Sequence, residues 1–142
     1  TLSRPPIDID VDMDDALSLL GASTTTPPNH ILVLSQDYRL FEGFLLLAVR
    51  ERWPETPARG AVTDPHGTFE MFHEMDAFVW VGPRGERWPS AAAIRKEMED
   101  DHMDPSTMPP APRVVEAGAE SFQEMARYPT GTTRDLVIFR RK

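Results

Sequence analysis

Apolar and polar positions along the chain follow periods that predict a sheet with helices packed on it. Residues 7–11 alternate between apolar side chains and aspartate, which is the period of a strand. The run Ile31–Leu34 is continuously apolar, as is typical of a strand buried on both faces. Over residues 38–53, apolar side chains recur at helical spacing, which predicts the central core helix. Ala77–Val81 predicts another strand, which ends at a turn over residues 82–85.

Shorter patterns predict the remaining elements. Acidic residues in a first turn and Gly21 as a stop mark one short helix, and Ser90 caps another. The elements predicted in this way are helices at residues 12–21, 90–101 and 121–128, and strands at residues 61–63, 86–88, 113–116 and 135–140.

The alternation of strands and helices predicts an α/β or α+β fold, with a sheet covered by helices. Two architectures remain open. Element order slightly favours a doubly wound sheet. The alternative is a mixed sheet with a C-terminal antiparallel hairpin, in which residues 77–81 and 86–88 form a hairpin and the C-terminal strand pairs antiparallel. The length fits a single domain over residues 1–142. Within it we expect an N-terminal tail at residues 1–6 and a Pro-rich surface loop at residues 104–112.

The charge of the chain restricts its partners. A formal net charge of −8 argues against direct binding of nucleic acid, because phosphate contacts need concentrated Lys and Arg. An acidic surface suits a partner protein with a basic surface, or a divalent cation. Cysteine is absent, which excludes disulfides and fits a reducing compartment. No segment resembles a signal peptide or is long enough to span a membrane, so we expect a soluble, cytoplasmic protein.

The most concentrated chemical feature is a group of carboxylates near the N-terminus, called here the aspartate cluster. Its five members are Asp8, Asp10, Asp12, Asp14 and Asp15. Carboxylates this close repel one another unless a cation or a helix terminus compensates them. Hard oxygen ligands of this kind suit Ca²⁺ or Mg²⁺. The spacing is not that of an EF-hand, because Met13 and Leu19 occupy the positions where that loop requires Gly and Glu.

Residues 8–20, which read D-I-D-V-D-M-D-D-A-L-S-L-L, resemble the D-x-D-x-x-x-D-D motif at the start of inosine–uridine nucleoside hydrolases. The resemblance implies that Asp10 and Asp15 are calcium ligands, that Asp10 is also the base that activates water, and that Asp14 contacts a ribose hydroxyl. The family usually has Pro-Gly where this chain has Val11 and Asp12. Its downstream Asn and Glu segment and its late His-Asp pair have no evident counterpart.

Two interpretations of the aspartate cluster therefore compete. In the first, Asp8, Asp10 and Asp15 bind Ca²⁺ or Mg²⁺, Asp10 is the catalytic base and Asp14 contacts substrate. In the second, the cluster is the solvated acidic start of a helix and the protein needs no cofactor. A run of like charges is usually a solvated face, which favours the second interpretation.

Other candidate residues carry weaker signals. A second group of metal-type side chains, which are side chains able to bind a metal ion, lies within residues 64–76. Its members are Asp64, His66, His73, Glu74 and Asp76. They are better interpreted as parts of turns and solvated loops. Tryptophan and methionine are suited to partner contacts, which makes candidates of Trp53, Trp88, Met103 and Met108. The competing and favoured interpretation is that Trp80 is a core residue and that the other two tryptophans cover it.

These observations lead to two hypotheses about function. The first is a non-catalytic, acidic protein-binding module: an adaptor, inhibitor or assembly component of phage or bacterial-conflict origin. The second is a divalent-metal-dependent hydrolase, or a degenerate relative of one, which uses the aspartate cluster.

Overall fold

The structure is a computed structural model, and it describes residues 12–35, 42–60, 75–89, 99, 121–131 and 133–142. Several predicted segments lie outside these residues: the tail at 1–6, the strands at 7–11, 61–63 and 113–116, and the Pro-rich loop at 104–112. Of the helix predicted at 90–101, only Glu99 is described, and it is helical.

The described elements form one mixed sheet with two helices. In chain order they are α1 (Met13–Ser18), β1 (Ile31–Ser35), α2 (Glu42–Arg52), β2 (Ala58–Gly60), β3 (Ala77–Pro83), β4 (Phe122–Pro129) and β5 (Arg134–Arg141). The strand order is β2-β1-β3-β5-β4. β1 is parallel to β2 and β3, whereas β5 is antiparallel to β3 and β4. The fold is therefore α+β, which confirms the predicted mixed sheet with an antiparallel C-terminal hairpin. The doubly wound alternative, which element order slightly favoured, does not describe this sheet, because β5 runs antiparallel to both of its neighbours.

The two inner strands are apolar throughout because both of their faces are covered. In β1, Ile31 and Val33 point to the helix side, and Leu32 and Leu34 point to the opposite side. All four are buried, which confirms the predicted strand. The strand predicted at Ala77–Val81 is confirmed in the same way, since all five of its residues are buried.

On the helix side of the sheet, α1 and α2 pack over β1, β3 and β5. Leu17 of α1 lies fully buried in this core, and its backbone oxygen accepts a hydrogen bond of 2.9 Å from the indole Nε1 of Trp53. That bond joins the end of α2 to α1 and satisfies the one polar atom of a buried tryptophan. The helices predicted at residues 12–21 and 38–53 are thus confirmed in their described parts.

The opposite side of the sheet has a second core, which is rich in aromatic side chains. Phe78 and Phe139 stack with ring centroids 5.5 Å apart. Trp80 is completely buried beside them, which confirms it as a core residue. Trp88 is only partly buried and packs against this cluster from the chain that follows β3.

The helix predicted at residues 121–128 is wrong, because these residues form β4. The segment is rich in good helix formers such as Gln, Glu, Met, Ala and Arg, so its local propensity favours a helix. Pairing overrides that propensity: β4 gives β5 a second neighbour and buries Phe122 in the aromatic core.

The predicted hairpin between residues 77–81 and 86–88 is also wrong. Both sides of β3 are already occupied, by β1 on one side and by β5 on the other. Residues 86–88 therefore have no free edge of β3 to pair with, and they are not a strand. The predicted turn does form: Glu86 N donates to Pro83 O at 3.2 Å, and Gly85 has a φ of 94°, which glycine adopts without strain.

Candidate functional site

The described part of the aspartate cluster forms the start of α1. Asp12 is the N-cap residue, and its Oδ1 accepts a hydrogen bond of 3.2 Å from Asp15 N. The side chain of Asp14 is 84% exposed and lies 3.5 Å from Nε of Arg52. The positive end of the helix dipole and this arginine both compensate the carboxylates. For these three aspartates, the geometry is that of an acidic, exposed helix start.

Tyr128 of β4 lies within the electrostatic reach of this helix start. Burial raises the pKa of its phenol above the ordinary value, and the negative charges of Asp15 and Asp12 raise it further. The ring also packs against the helix-side core. The pKa of Tyr128 therefore reports on the charge of Asp12 and Asp15 in the aspartate cluster.

The metal-site prediction depends on residues that are mostly outside the described part of the chain. Asp8 and Asp10 are not among the described residues, so their assigned roles as ligands and as base stay predictions. Within the described ranges, no group of three or more His, Cys, Asp or Glu side chains could hold a metal ion. Asp15 is exposed, and its assignment as a third ligand stays a prediction, as does the substrate contact of Asp14.

Asp76, the described member of the second group of metal-type side chains, joins two strands of the sheet. Its carboxylate accepts hydrogen bonds of 2.8 Å from Asn29 N and from His30 N, just before β1 begins. The backbone oxygen of Asp76 also accepts a hydrogen bond of 2.9 Å from Arg141 N in β5. The remaining members of this group lie outside the described residues: Asp64, His66, His73 and Glu74.

The structure places the candidate partner contacts in different environments. Trp53 is only 4% exposed and belongs to the helix-side core, where Arg52 stacks on its ring. Trp88 is partly exposed and borders an open cleft. Met103 and Met108 lie outside the described residues, so their assignment stays a prediction.

The cleft beside Trp88 is the candidate site that the described residues form most completely. It has a volume of about 630 Å³ and lies between residues 84–89 and the β4–β5 hairpin. We call it the hairpin cleft, and its lining residues are Gly85, Glu86, Arg87, Trp88, Phe122, Glu124, Arg127 and Phe139. The aromatic rings form its floor: the Trp88 centroid lies 6.0 Å from that of Phe122 and 5.0 Å from that of Phe139.

An irregularity in β4 places two charged side chains together in this cleft. Residues three apart on a regular strand point to opposite faces of the sheet. A register shift between Glu124 and Ala126 adds one residue to β4, so that Glu124 pairs with Phe139 and Arg127 pairs with Val137. Phe139 and Val137 face the aromatic core, and Glu124 and Arg127 therefore share that face.

Arg127 is fixed in the cleft by two carboxylates. Its Nη2 and Nε donate to Glu124 Oε1 at 2.8 and 3.2 Å, and its Nη1 donates to Asp135 Oδ2 at 3.2 Å. Burial alone would lower the pKa of the guanidinium group, but the hydrogen bonds and the charges of both carboxylates raise it above its usual value. Arg127 therefore remains a fixed cation at any accessible pH.

Asp135 connects this arginine to the chain that follows β3. Its side chain is 7% exposed, and its Oδ1 lies 3.2 Å from Nε of Arg84. A single buried carboxylate thus binds Arg127 of β4 and Arg84 of the turn, and it sets the position of the turn relative to the hairpin.

Comparison with known proteins gave no match: no protein-family model, no curated protein and no solved structure matches the chain. Function must therefore be inferred from the residues themselves.

Sequence reasoning found only one lining residue of the hairpin cleft, Trp88. It missed Phe122, Glu124 and Arg127 because residues 121–128 were predicted to be a helix. One signal could have found them. Residues 129–134 contain Pro, Gly and three Thr residues between two apolar-containing stretches, and a short Gly-containing connection of this kind indicates a β-hairpin.

No helix among the described residues has the length and apolar character that a membrane span requires.

Proposed function

We propose that this chain is a non-catalytic protein-binding module that holds a segment of a partner protein in the hairpin cleft. One observation carries the proposal: Arg127 is fixed beside an aromatic floor, in a cleft that is open to solvent. Arginine and tryptophan are the residues most enriched in the energetic centres of protein interfaces. Here Arg127 and Trp88 line the same cleft.

The cleft is also ordered before any partner arrives. Three hydrogen bonds hold the guanidinium group of Arg127, and its side chain is only 25% exposed. Trp88 is positioned by ring contacts with Phe78, Phe122 and Phe139. Side chains that are already immobilised lose little conformational entropy on binding, so more of the contact energy contributes to affinity.

A second surface suits the basic partner that the net charge predicts. The exposed carboxylates at the start of α1 include Asp14 and Asp15, and they lie on an element separate from the hairpin cleft. Charge complementarity at this surface would guide a basic partner and fix its orientation. An adaptor, an inhibitor or an assembly component, of phage or of bacterial-conflict origin, would each use such surfaces.

The experiment that tests the proposal compares matched arginine variants. The tagged chain captures a partner from extract of the native host, and the purified pair is then remixed and its dissociation constant measured by calorimetry. Arg127→Ala should weaken the complex by roughly thirtyfold, as expected for loss of a central interface arginine. Arg50→Ala removes an exposed arginine from α2 and should leave the affinity unchanged. The proposal is contradicted if Arg127→Ala and Arg87→Ala both bind the partner as tightly as the wild type does.

The alternative function is a divalent-metal-dependent hydrolase, or a degenerate relative of one, with Asp8, Asp10 and Asp15 as ligands and Asp10 as base. One observation favours keeping this alternative. The exposed carboxylate of Asp15 forms no ion pair with any residue in the described ranges, and it is therefore available to a cation. A metal in the cluster would position and activate water. The calcium experiment in the Discussion tests this alternative.

A further inference from the structure

We propose that the segment held in the hairpin cleft is an acidic peptide that carries an aromatic side chain. This inference rests on the proposed function, and it adds the chemistry of the partner segment. Three features of the cleft support it: its aromatic floor, the N–H groups that Arg127 leaves unused, and an excess of basic residues around it.

The floor selects an aromatic side chain. Trp88 and Phe139 meet edge to face at an interplanar angle of 72°, and Trp88 and Phe122 are tilted at 42°. A further ring can extend such a cluster with the offset or edge-to-face geometry that aromatic pairs prefer. The volume of about 630 Å³ is sufficient for a ring and for neighbouring side chains of the same peptide.

Arg127 provides donors for a carboxylate. A guanidinium group has five N–H donors, and the contacts with Glu124 and Asp135 use three of them. The remaining two are available to a carboxylate of the peptide, because every contact of Arg127 within the described residues is with these two acids. Charge-assisted hydrogen bonds of this kind are about twice as strong as neutral ones.

Arg87 adds a second cation to the lining. It is exposed and forms no ion pair with a described residue. Two acids of the site are compensated by arginine: Asp135 lies between Arg84 and Arg127, and Glu124 is paired with Arg127. Glu86, the remaining acid of the lining, balances Arg87 in number, so the groups that a ligand carboxylate can contact are Arg87 and the unused donors of Arg127.

One further basic side chain lies on the cleft face of the sheet. Arg141 is two residues after Phe139 in β5, and its guanidinium group lies 4.8 Å from the centroid of the Phe122 ring. Around the cleft the basic residues therefore exceed the acidic ones by one, in a chain of net charge −8: they are Arg84, Arg87, Arg127 and Arg141 against Glu86, Glu124 and Asp135. A basic excess of this kind favours acidic peptides over basic ones.

The experiment uses three short synthetic peptides with blocked ends: a glutamate-rich peptide with a central phenylalanine, the same peptide with alanine at that place, and a lysine-rich peptide with phenylalanine. Phenylacetate serves as a small-molecule probe. Binding is followed by the indole N–H resonance of Trp88, which is assigned with Trp88→Phe. The acidic aromatic peptide should bind at least roughly tenfold more tightly than each of the other probes.

Two variants connect the binding to the cleft. Arg87→Ala should weaken the acidic aromatic peptide by roughly fivefold to tenfold, and raised salt should weaken it further, as for exposed charges at the rim of an interface. Arg87 makes no described internal contact, so this variant keeps the fold even if Arg127→Ala does not. Arg50→Ala on α2 is the matched control and should bind the peptide as the wild type does.

The outcomes separate the inference from the proposed function. The inference is overturned if the lysine-rich peptide, the alanine peptide or phenylacetate binds as tightly as the acidic aromatic peptide. It is also overturned if every peptide fails to bind while Arg127→Ala still weakens the captured partner; in that case the proposed function stands. If the captured partner also binds both arginine variants as tightly as the wild type, the inference and the proposed function fall together.

Discussion

Glu124 and Arg127 form a two-donor ion pair on one face of the sheet, although they are three residues apart on the same strand. Arg127 Nη2 lies 2.8 Å from Glu124 Oε1, and Nε lies 3.2 Å from the same oxygen. In a regular strand these side chains would point in opposite directions. The extra residue in β4 reverses the alternation between them, and both therefore reach the hairpin cleft.

Deleting Met125 should therefore lower the free energy of unfolding far more than truncating its side chain to alanine does. Deletion restores regular alternation, so Phe122 and Glu124 can no longer share a face with Arg127. The free energy of unfolding should fall by about 3 kcal/mol or more, as for removal of a buried phenylalanine. Met125→Ala keeps the extra residue at a position that is 36% exposed, so it should cost less than about 1 kcal/mol. Urea denaturation of both variants checks this expectation, and equal losses would contradict it.

Removing the charge of Asp135 should destabilise the fold. Asp135→Asn leaves Arg84 and Arg127 without their shared carboxylate, in a position where the side chain of residue 135 is almost buried. Because both arginines are partly exposed, we expect a loss of about 1–3 kcal/mol in the free energy of unfolding, less than for a fully buried pair. Asp14→Asn, which affects an exposed ion pair, should change it by less than about 0.5 kcal/mol. Denaturation at neutral pH measures both.

Stability should fall in the alkaline range because of Tyr128. Burial and the charges of Asp15 and Asp12 raise its pKa in the folded state above that of the unfolded chain. The folded state therefore holds the phenolic proton to higher pH, and the stabilisation, complete below the unfolded pKa of about 10, is lost as pH rises through the folded pKa. The chain has one other tyrosine, so Tyr38→Phe provides a background in which absorbance reports on Tyr128 alone.

The comparison is between Tyr38→Phe and the double variant Tyr38→Phe/Tyr128→Phe. The double variant should show a shallower decline of unfolding free energy as the pH rises above about 10. Parallel declines in the two proteins would mean that Tyr128 does not contribute. In the Tyr38→Phe background, Asp15→Asn should lower the pKa of Tyr128, because it removes one of the charges that raise it.

Calcium provides the test of the hydrolase alternative. If the aspartate cluster binds Ca²⁺, the ion should raise the melting temperature, and Asp10→Asn with Asp15→Asn should abolish that rise. The bound cation would offset Asp12 and Asp15, so it should also lower the pKa of Tyr128. Millimolar calcium that changes neither quantity would exclude a metal site in the cluster. A rise in melting temperature that persists in the double variant would place the ion elsewhere.

Local sequence predicted the inner strands β1 and β3 and the helices α1 and α2 well, because buried positions are occupied by apolar residues. Ile31–Leu34 and Ala77–Val81 are apolar at every position since both faces of each strand are covered. The start of α1 was also predicted from the sequence: Asp12 caps the helix and acidic residues occupy its first turn, as the residue pattern indicated. In these elements the type of residue at each position follows from its local environment, buried or at a helix start.

The hairpin cleft, in contrast, exists only through pairing. Residues 122–128 favour a helix locally, and only β5 makes them a strand, because the ladder and the burial of Phe122 outweigh propensity. The extra residue at Met125 then decides which face Arg127 occupies. The sequence by itself determined where the core and the acidic helix start would lie. The tertiary structure alone decided that Trp88, Glu124 and Arg127 line one cleft, because strand pairing and register depend on contacts between residues far apart in the chain.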